Sequence, residues 1–327
     1  MESNKRRKIV KAGALALALG LTGTSGFAQT YPTKPVRMLL PFPAGGTADA
    51  ITRYFAQKMS VALGQPFVVE NVAGASGTIG LNQGLKAAPD GYTITQISNT
   101  NTVAAMHMFK KLPFNPLKDM IPLANLYEIP SAVITSPKNT SLATFPDFVA
   151  YAKAHPGKLS YSYSHATGAV TGASVKLAAN IDIVAIPYKS GPQAVVETMS
   201  GEVALLCTDI GAVMSQIKAG NLKALAVTSA RRSPMLPDVP TLREVLPSPM
   251  EFVGWGGFVV PVGTPPAVVN KLSETILQIL GTEETAVFLQ GLGATRMAMG
   301  PAEFARFMAE QEPQWGKALS AANIRPE

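Results

Sequence analysis

Short apolar runs rich in β-branched residues recur along this chain, each followed by a stretch with helical spacing, and this alternation restricts its fold more than any other feature. VRMLLPF at 36–42 precedes Ile51, Tyr54, Phe55, Met59 and Ala62, which share one helix face. PFVVENV then precedes IGLNQGLKAA, and YTITQIS precedes VAAMHMF. Strands that are apolar on both sides need cover on both, so they predict a mostly parallel sheet with helices on its two faces. Ligands of such sheets bind beyond the carboxyl ends of the strands.

A second set of the same kind follows the extended, proline-marked IPSAVITSP at 129–137. It reads as helix FPDFVAYAKAH, strand KLSYSYS, a helix over about 169–180, strand IDIVAIPY, helix PQAVVETMS, strand VALLCTD, helix AVMSQIKAG and strand LKALAVTS. After the loop RRSPMLPDVPT comes an apolar run, FVGWGGFVVPVGTPP, and then two or three helices. The expected fold class is α/β with two lobes: residues 29–128 together with 254–327 form one, and 129–253 the other. Two crossings between them would make a hinge, with a cleft between the lobes.

The amino terminus carries a different message. NKRRKIVK joined to AGALALALGL is a basic segment before a short apolar one, and GFA at 26–28 supplies small residues for cleavage, so 1–28 reads as an export signal. A membrane anchor needs about 20 strongly apolar residues, and Gly20, Thr22, Gly23, Thr24 and Ser25 interrupt this run. Arg6 and Arg7 fit a twin-arginine signal and an ordinary basic segment equally well. Of 28 basic and 21 acidic residues the leader holds five (Lys5, Arg6, Arg7, Lys8, Lys11) and one (Glu2), which leaves 23 against 20. With that near balance, and no arginine stripe or basic-aromatic interleaving, nucleic acid is not an expected partner. Cys207 is the single cysteine, so no internal disulfide or multi-cysteine metal site is available, and its apolar setting favours an inert buried thiol.

The turns between strands and helices carry the chemistry. In PFPAGGTADA, Gly45 and Gly46 separate a strand from a helix whose expected N-cap is Thr47, and glycines let a ligand approach the first-turn amides closely. Such an end favours anions. No Gly-Lys-Ser/Thr follows, which excludes a Walker A loop, and the dinucleotide glycine pattern is missing. An ordinary tight turn with a cap accounts for the same residues, and Asp49 in the first helical turn suits it with or without a ligand. The next junction, NVAGASGTIG, repeats the device with Gly74, Ser76, Gly77 and Thr78, and two such turns on one sheet converge on one edge. In the second set, SYSHATGAVTG supplies Ser164, His165, Thr167 and Gly168, and PYKSGP supplies Tyr188, Lys189 and Ser190.

His165 is the histidine placed to donate to a ligand's far end, against a solvent-facing loop residue as the alternative. His107 and His155 read as helix-face and helix-end residues. Tyr188 ranks above Lys189, because a lysine beside a turn is usually solvated. Phe42, flanked by prolines, forms either a wall for a ligand's carbon skeleton or part of the core. Asp209 ends a buried-type strand and is expected to cap the next helix, with a ligand hydrogen bond as the second reading.

An enzyme finds little support. Ser215 and Lys218 have Ser-x-x-Lys spacing, but the Ser-Asp-Asn and Lys-Thr-Gly partners are missing, as are Gly-x-Ser-x-Gly and His-Glu-x-x-His. No cofactor or metal is expected. An exported hydrolase with an unrecognised site is the alternative function, and an adhesive protein, which would show no saturable binding, is the third.

PFPAGGTAD, NVAGASGTIG, AAPDGYT, KKLPFNPLKD, IPYKSGPQAV, IKAGNLKALAVTSARRSPMLPDVPTLREV and VVPVGTPPAVVNKL, in that order along the mature chain, resemble the periplasmic solute receptors of the tripartite tricarboxylate transporter system, the Bug family. The resemblance implies a type II periplasmic binding-protein fold closing on a small organic carboxylate and delivering it to integral-membrane transporter subunits, and a monomer is expected. It further implies that Ala44, Gly45, Gly46 and Thr47, with Ser76, Gly77 and Thr78, hold one carboxylate through backbone amides. The chain departs from the family pattern at Val72 and Ala73, where Arg-Pro is common, and at Ser76 and Thr78, where Gly and Asn are. It departs again at His165, where glycine is usual, and at Thr171, often histidine. These departures imply a different distal side of the pocket.

Overall fold

The computed structural model describes residues 31–247, 252–324 and 326; the expected leader over 1–28 lies outside them. Lys34–Glu327 form one compact unit. Its strands are β1 (Val36–Leu40), β2 (Phe67–Asn71), β3 (Thr93–Ser98), β4 (Met120–Thr135), β5 (Leu159–Tyr163), β6 (Ile183–Pro187), β7 (Leu205–Asp209), β8 (Lys223–Val227), β9 (Val253–Pro261) and β10 (Thr295–Met299). The helices are α1 (Thr47–Leu63), α2 (Thr78–Leu85), α3 (Ala105–Met108), α4 (Phe145–Ala154), α5 (Ala166–Ala178), α6 (Gly191–Ser200), α7 (Ile210–Lys218), α8 (Leu242–Val245), α9 (Pro266–Leu280), α10 (Glu283–Gly291) and α11 (Pro301–Ala321).

The strands lie in the order β2-β1-β3-β9-β4-β7-β5-β6, with β10 and β8 also paired to β4. As the alternation predicts, β1 is parallel to β2 and β3, and β5 is parallel to β6 and β7. The two parallel groups are joined by antiparallel strands that continuous burial in the sequence did not distinguish. β4 pairs with β9 over its first part, Met120 to Pro130, and with β7 and β8 over its last, Ser131 to Thr135. Sixteen residues at about 3.3 Å each let this one strand belong to both sheet sections.

Alternation along the strands sorts their side chains into separate cores. In the second section Val133, Leu205 and Cys207 join Phe145, Phe148 and Leu159 on one face, whereas Ala132, Ile134 and Leu206 join Val213, Met214 and Ala194 on the other. Cys207 is 1% exposed and burial pushes its thiol up to about 12, so the inert reading of this residue holds. In the first section Trp255, Phe304, Met308 and Trp315 pack with Leu81, Ile97 and Val259. His107 belongs to that packing: its ring meets Glu312 at 2.8 Å and sits against Gly316. β10, TRMAM, was missed in the sequence because half-exposed residues give it no apolar alternation.

Candidate functional site

The carboxyl ends of β1, β2, β3, β5, β6 and β7 all contribute to one cavity of about 1150 Å³. Helices start at five of these ends, and the caps of four of them are of two kinds. α5 and α6 are capped by side chains: His165 Nδ1 accepts the Gly168 N–H at 3.2 Å, and the Ser190 hydroxyl accepts the Gln193 N–H. α1 and α2 are capped by Gly46 and Gly77, which have no side chain to offer. The structure moves the α1 cap one residue from the expected Thr47.

At the α1 junction the amides of Gly46, Thr47 and Ala48 have no partner among the described residues. Gly45 does not share this freedom. Its φ of +85° turns its N–H toward Asp49, whose Oδ2 accepts it at 3.1 Å. Asp49 is also gripped by Arg53 at 3.0 Å and by Asn71, which itself donates to the Phe42 carbonyl. Burial alone would raise the Asp49 carboxyl, but these donors together hold it below the ordinary carboxylate range. Asp49 is therefore a brace for the loop, tying α1, β2 and the turn together, more than a dipole partner. Thr47 is 8% exposed, and its hydroxyl is buried without a partner among the described residues. Leaving such a group unpaired costs about 1–3 kcal/mol, a cost that a ligand's oxygen would remove.

The second junction differs in detail from its expected form. Gly74, Ala75, Ser76 and Gly77 all take positive φ, at 142°, 44°, 54° and 88°. The Gly77 and Thr78 amides are consumed by this 3₁₀ turn, bonding to the Gly74 and Ala75 carbonyls. The Thr78 hydroxyl also turns inward to Ala75, at 2.8 Å. Thr78 therefore does not line the cavity, and Ala44, which is exposed, does not either. The amides here without a partner among the described residues are those of Ala75 and Ser76. Two adjacent non-glycine residues in the left-handed region cost about 1–3 kcal/mol each, and strain of that kind collects at binding loops.

Phe42, Gly45, Gly46, Thr47, Ser76, Gly77, Ser164, His165, Thr167, Tyr188 and Asp209 all line the cavity. The Phe42 ring lies against Gly77, where a methyl group would sit 3.1 Å from it. Tyr188 offers its ring only, because its hydroxyl donates to Glu197, a bond that pushes the phenol up to about 12. Thr167 accepts a hydrogen bond from the Asn99 amide at 3.0 Å. Asp209 precedes α7 but makes no side-chain cap, contrary to the expected capping role.

Among the wall residues that escaped the sequence reading are Asn99, Thr100 and Trp255. Asn99 and Thr100, in the loop after β3, are 2% and 3% exposed. Asn99 accepts the Trp255 N–H and Thr100 accepts the Ala166 N–H, so this loop links both sheet sections at the cavity floor. The polar run SNTNT at a strand's carboxyl end was the available signal. Trp255, 1% exposed, presents a buried indole N–H without a partner among the described residues, and nothing in GWGG separates it from a core tryptophan.

On the distal wall the Asp209 carboxylate stands 3.7 Å from His165 Nε2. Burial raises the Asp209 carboxyl, and His165 opposes that rise. A carboxyl raised by folding stabilises the native state in acid, and that contribution is lost as pH rises through its folded value. Asp209→Asn is expected to melt with the wild type in acid and above it near neutrality, in the absence of ligand. Melting curves across pH check this, and a variant that is less stable at neutral pH contradicts it.

A mixed α/β sheet carrying a cleft ringed by helix starts at the carboxyl ends of two parallel strand groups is the architecture of the periplasmic solute-binding proteins. The family model of the tripartite tricarboxylate transporter family receptor matches residues 51–324, and this chain belongs to that family. BugT of Bordetella pertussis is 33% identical over 325 residues, spanning 95% of this chain and 96% of its own. Two solved structures from Rhodopseudomonas palustris are similar. Rpa4515 with adipate has a TM-score of 0.86 and 29% identity over 91% of this chain and 100% of its own. MatC with bound malate has a TM-score of 0.81 and 28% identity over 88% and 100%. The family and fold are those of solute-binding proteins rather than of enzymes.

Proposed function

We propose that this protein is an extracytoplasmic receptor that captures a small organic carboxylate in the cleft and hands it to an integral-membrane transporter of the tripartite tricarboxylate type. The observation that carries the reading is the pair of glycine-capped turns, where the amides of Gly46, Thr47, Ala48, Ala75 and Ser76 and the Thr47 hydroxyl have no partner among the described residues beside an open cavity. Backbone N–H groups at a helix start attract a carboxylate without a fixed positive charge, which suits a receptor that must release its cargo. Adipate and malate in the similar structures support this ligand class.

In this reading residues 1–28 are an export signal removed on delivery to the periplasm. Residues 29–128 with 254–327 move against 129–253 as two lobes, and β4 and β9 are the strands that cross between them. Ligand drives closure only to the extent that it binds the closed state more tightly. Among the described residues no helix is long and apolar enough to cross a membrane, so the membrane step falls to a partner.

Thermal melting of the chain without 1–28 against a carboxylate panel that includes adipate and malate tests the reading. A binder at about 100 times its Kd adds about 2.7 kcal/mol of stability, a rise of several degrees in a chain of this size. No rise with any carboxylate would reject it.

A further inference from the structure

The distal wall of the cavity holds an anion that the protein itself leaves unused. Asp209 sits at the carboxyl end of β7, where a capping side chain would turn back to the amides of α7, but it makes no such bond. No hydrogen bond to its carboxylate is present among the described residues, and His165 Nε2 stands 3.7 Å away, beyond hydrogen-bond distance. Because His165 Nδ1 accepts the Gly168 N–H, the neutral ring carries its proton on Nε2. That nitrogen is buried and has no hydrogen-bond partner among the described residues.

The surrounding groups do not neutralise this carboxylate. Tyr127 is a buried phenol, and its ionisation is disfavoured by burial and then by the Asp209 charge. The Tyr188 hydroxyl is taken by Glu197. Lys189 lines the cavity but is exposed, where a lysine keeps its head in water. Asp49, at the other end, is already braced by Arg53, Asn71 and Gly45. The two ends of the cavity thus differ in character: only unfilled donors at the glycine turns, and at the distal wall an unfilled carboxylate acceptor beside the single His165 N–H. A dicarboxylate seated in the turns would direct its second charge toward a like charge, whereas an ammonium or amide nitrogen would meet an acceptor.

Building on the carboxylate reading of the cleft, we propose that Asp209, flanked by His165, selects ligands whose far end donates hydrogen bonds, so that the cargo is an amino- or amido-monocarboxylate rather than a dicarboxylate. The two carboxylate-bound similar structures then represent the proximal half of the recognition and not the distal half.

Matched pairs of equal chain length separate the two ends: γ-aminobutyrate with succinate, δ-aminopentanoate with glutarate, and ε-aminohexanoate with adipate. Calorimetric titration at about pH 7 is expected to show the ammonium member of at least one pair binding about tenfold or more tightly than its dicarboxylate, the equivalent of one lost charge-assisted bond. Asp209→Asn should remove that preference by weakening the ammonium member about tenfold and tightening the dicarboxylate. The melting curve of the variant establishes that it folds. Tighter binding of the dicarboxylate at every length, or an equal change for both members in Asp209→Asn, overturns the proposal. If none of the six probes binds while another carboxylate of the panel does, the proposal falls and the cleft reading stands. Silence of the whole panel removes both.

Discussion

A leucine placed at Gly46 is expected to abolish carboxylate-dependent thermal stabilisation while leaving a folded protein. Gly46 has φ −90° and ψ 174°, an extended conformation that any residue adopts, and an added Cβ meets nothing within 4 Å. The substitution therefore costs little beyond a poorer helix cap, about 1 kcal/mol, seen as a few degrees in Tm. Its side chain occupies open space next to the free amides of Thr47 and Ala48, where the carboxylate would have to sit. A ligand that raises the wild-type stability by about 2.7 kcal/mol at 100 times its Kd should give no measurable rise in Gly46→Leu. Gly45 is the weaker choice for this experiment, because φ +85° makes any side chain there strained whatever the space. Melting curves with and without the best panel ligand read the result. Full stabilisation in Gly46→Leu would remove this turn from the binding site and with it the central support for the proposed function.

The legible part of this molecule lies where one residue type answers to one local demand. Glycines between a strand and a helix mark places where the backbone turns and its amides stay open, and both junctions at Gly45–Gly46 and Gly74–Gly77 line the cavity. What escaped depends on partners distant in sequence or on a rotamer. Whether the Gly45 amide is free turns on Asp49, four residues on, choosing to reach back and on Asn71 and Arg53 holding it there. Asp209 had the residue type and position of a helix cap, and only the structure shows its carboxylate left uncapped beside His165. The direction of β4 and β9 was invisible for a different reason: a strand buried on both faces has the same apolar pattern whether its neighbour runs parallel or antiparallel. Asn99 and Thr100 drew no reading from the sequence, because a polar run carries no local sign of burial; they bury their side chains by bonding to Trp255, Thr167 and Ala166 from two other elements.

Truncating Phe304 to alanine is expected to cost about 3–5 kcal/mol, the range for removing a fully buried phenylalanine, and to lower Tm by on the order of 10 °C. Phe304 is 0% exposed and stands edge-on to Trp255, with ring centroids 5.6 Å apart and planes at 84°. Its ring enters the sheet at Gly257, where a Cβ would lie 2.4 Å from it, so α11 approaches β9 more closely than any side chain at 257 would permit. Met308, Trp315 and Leu319 continue the buried stripe of the helix, and none of them can move into the space left because each is already packed in the same core. Leucine at 304 should cost clearly less than alanine, since it fills most of the void. The effect should reach the cleft only in part. Trp255 accepts the Asn99 N–H at its carbonyl, donates its own N–H to the Asn99 Oδ1 and lines the cavity, so loss of the ring behind it loosens one wall, whereas the amides at Gly46–Ala48 are held by α1 and Asp49. Carboxylate affinity in Phe304→Ala should accordingly fall several-fold and not vanish, which titration of the variant well below its melting point measures. Complete loss of binding in a folded Phe304→Ala would shift the main recognition from the glycine turns to the tryptophan wall.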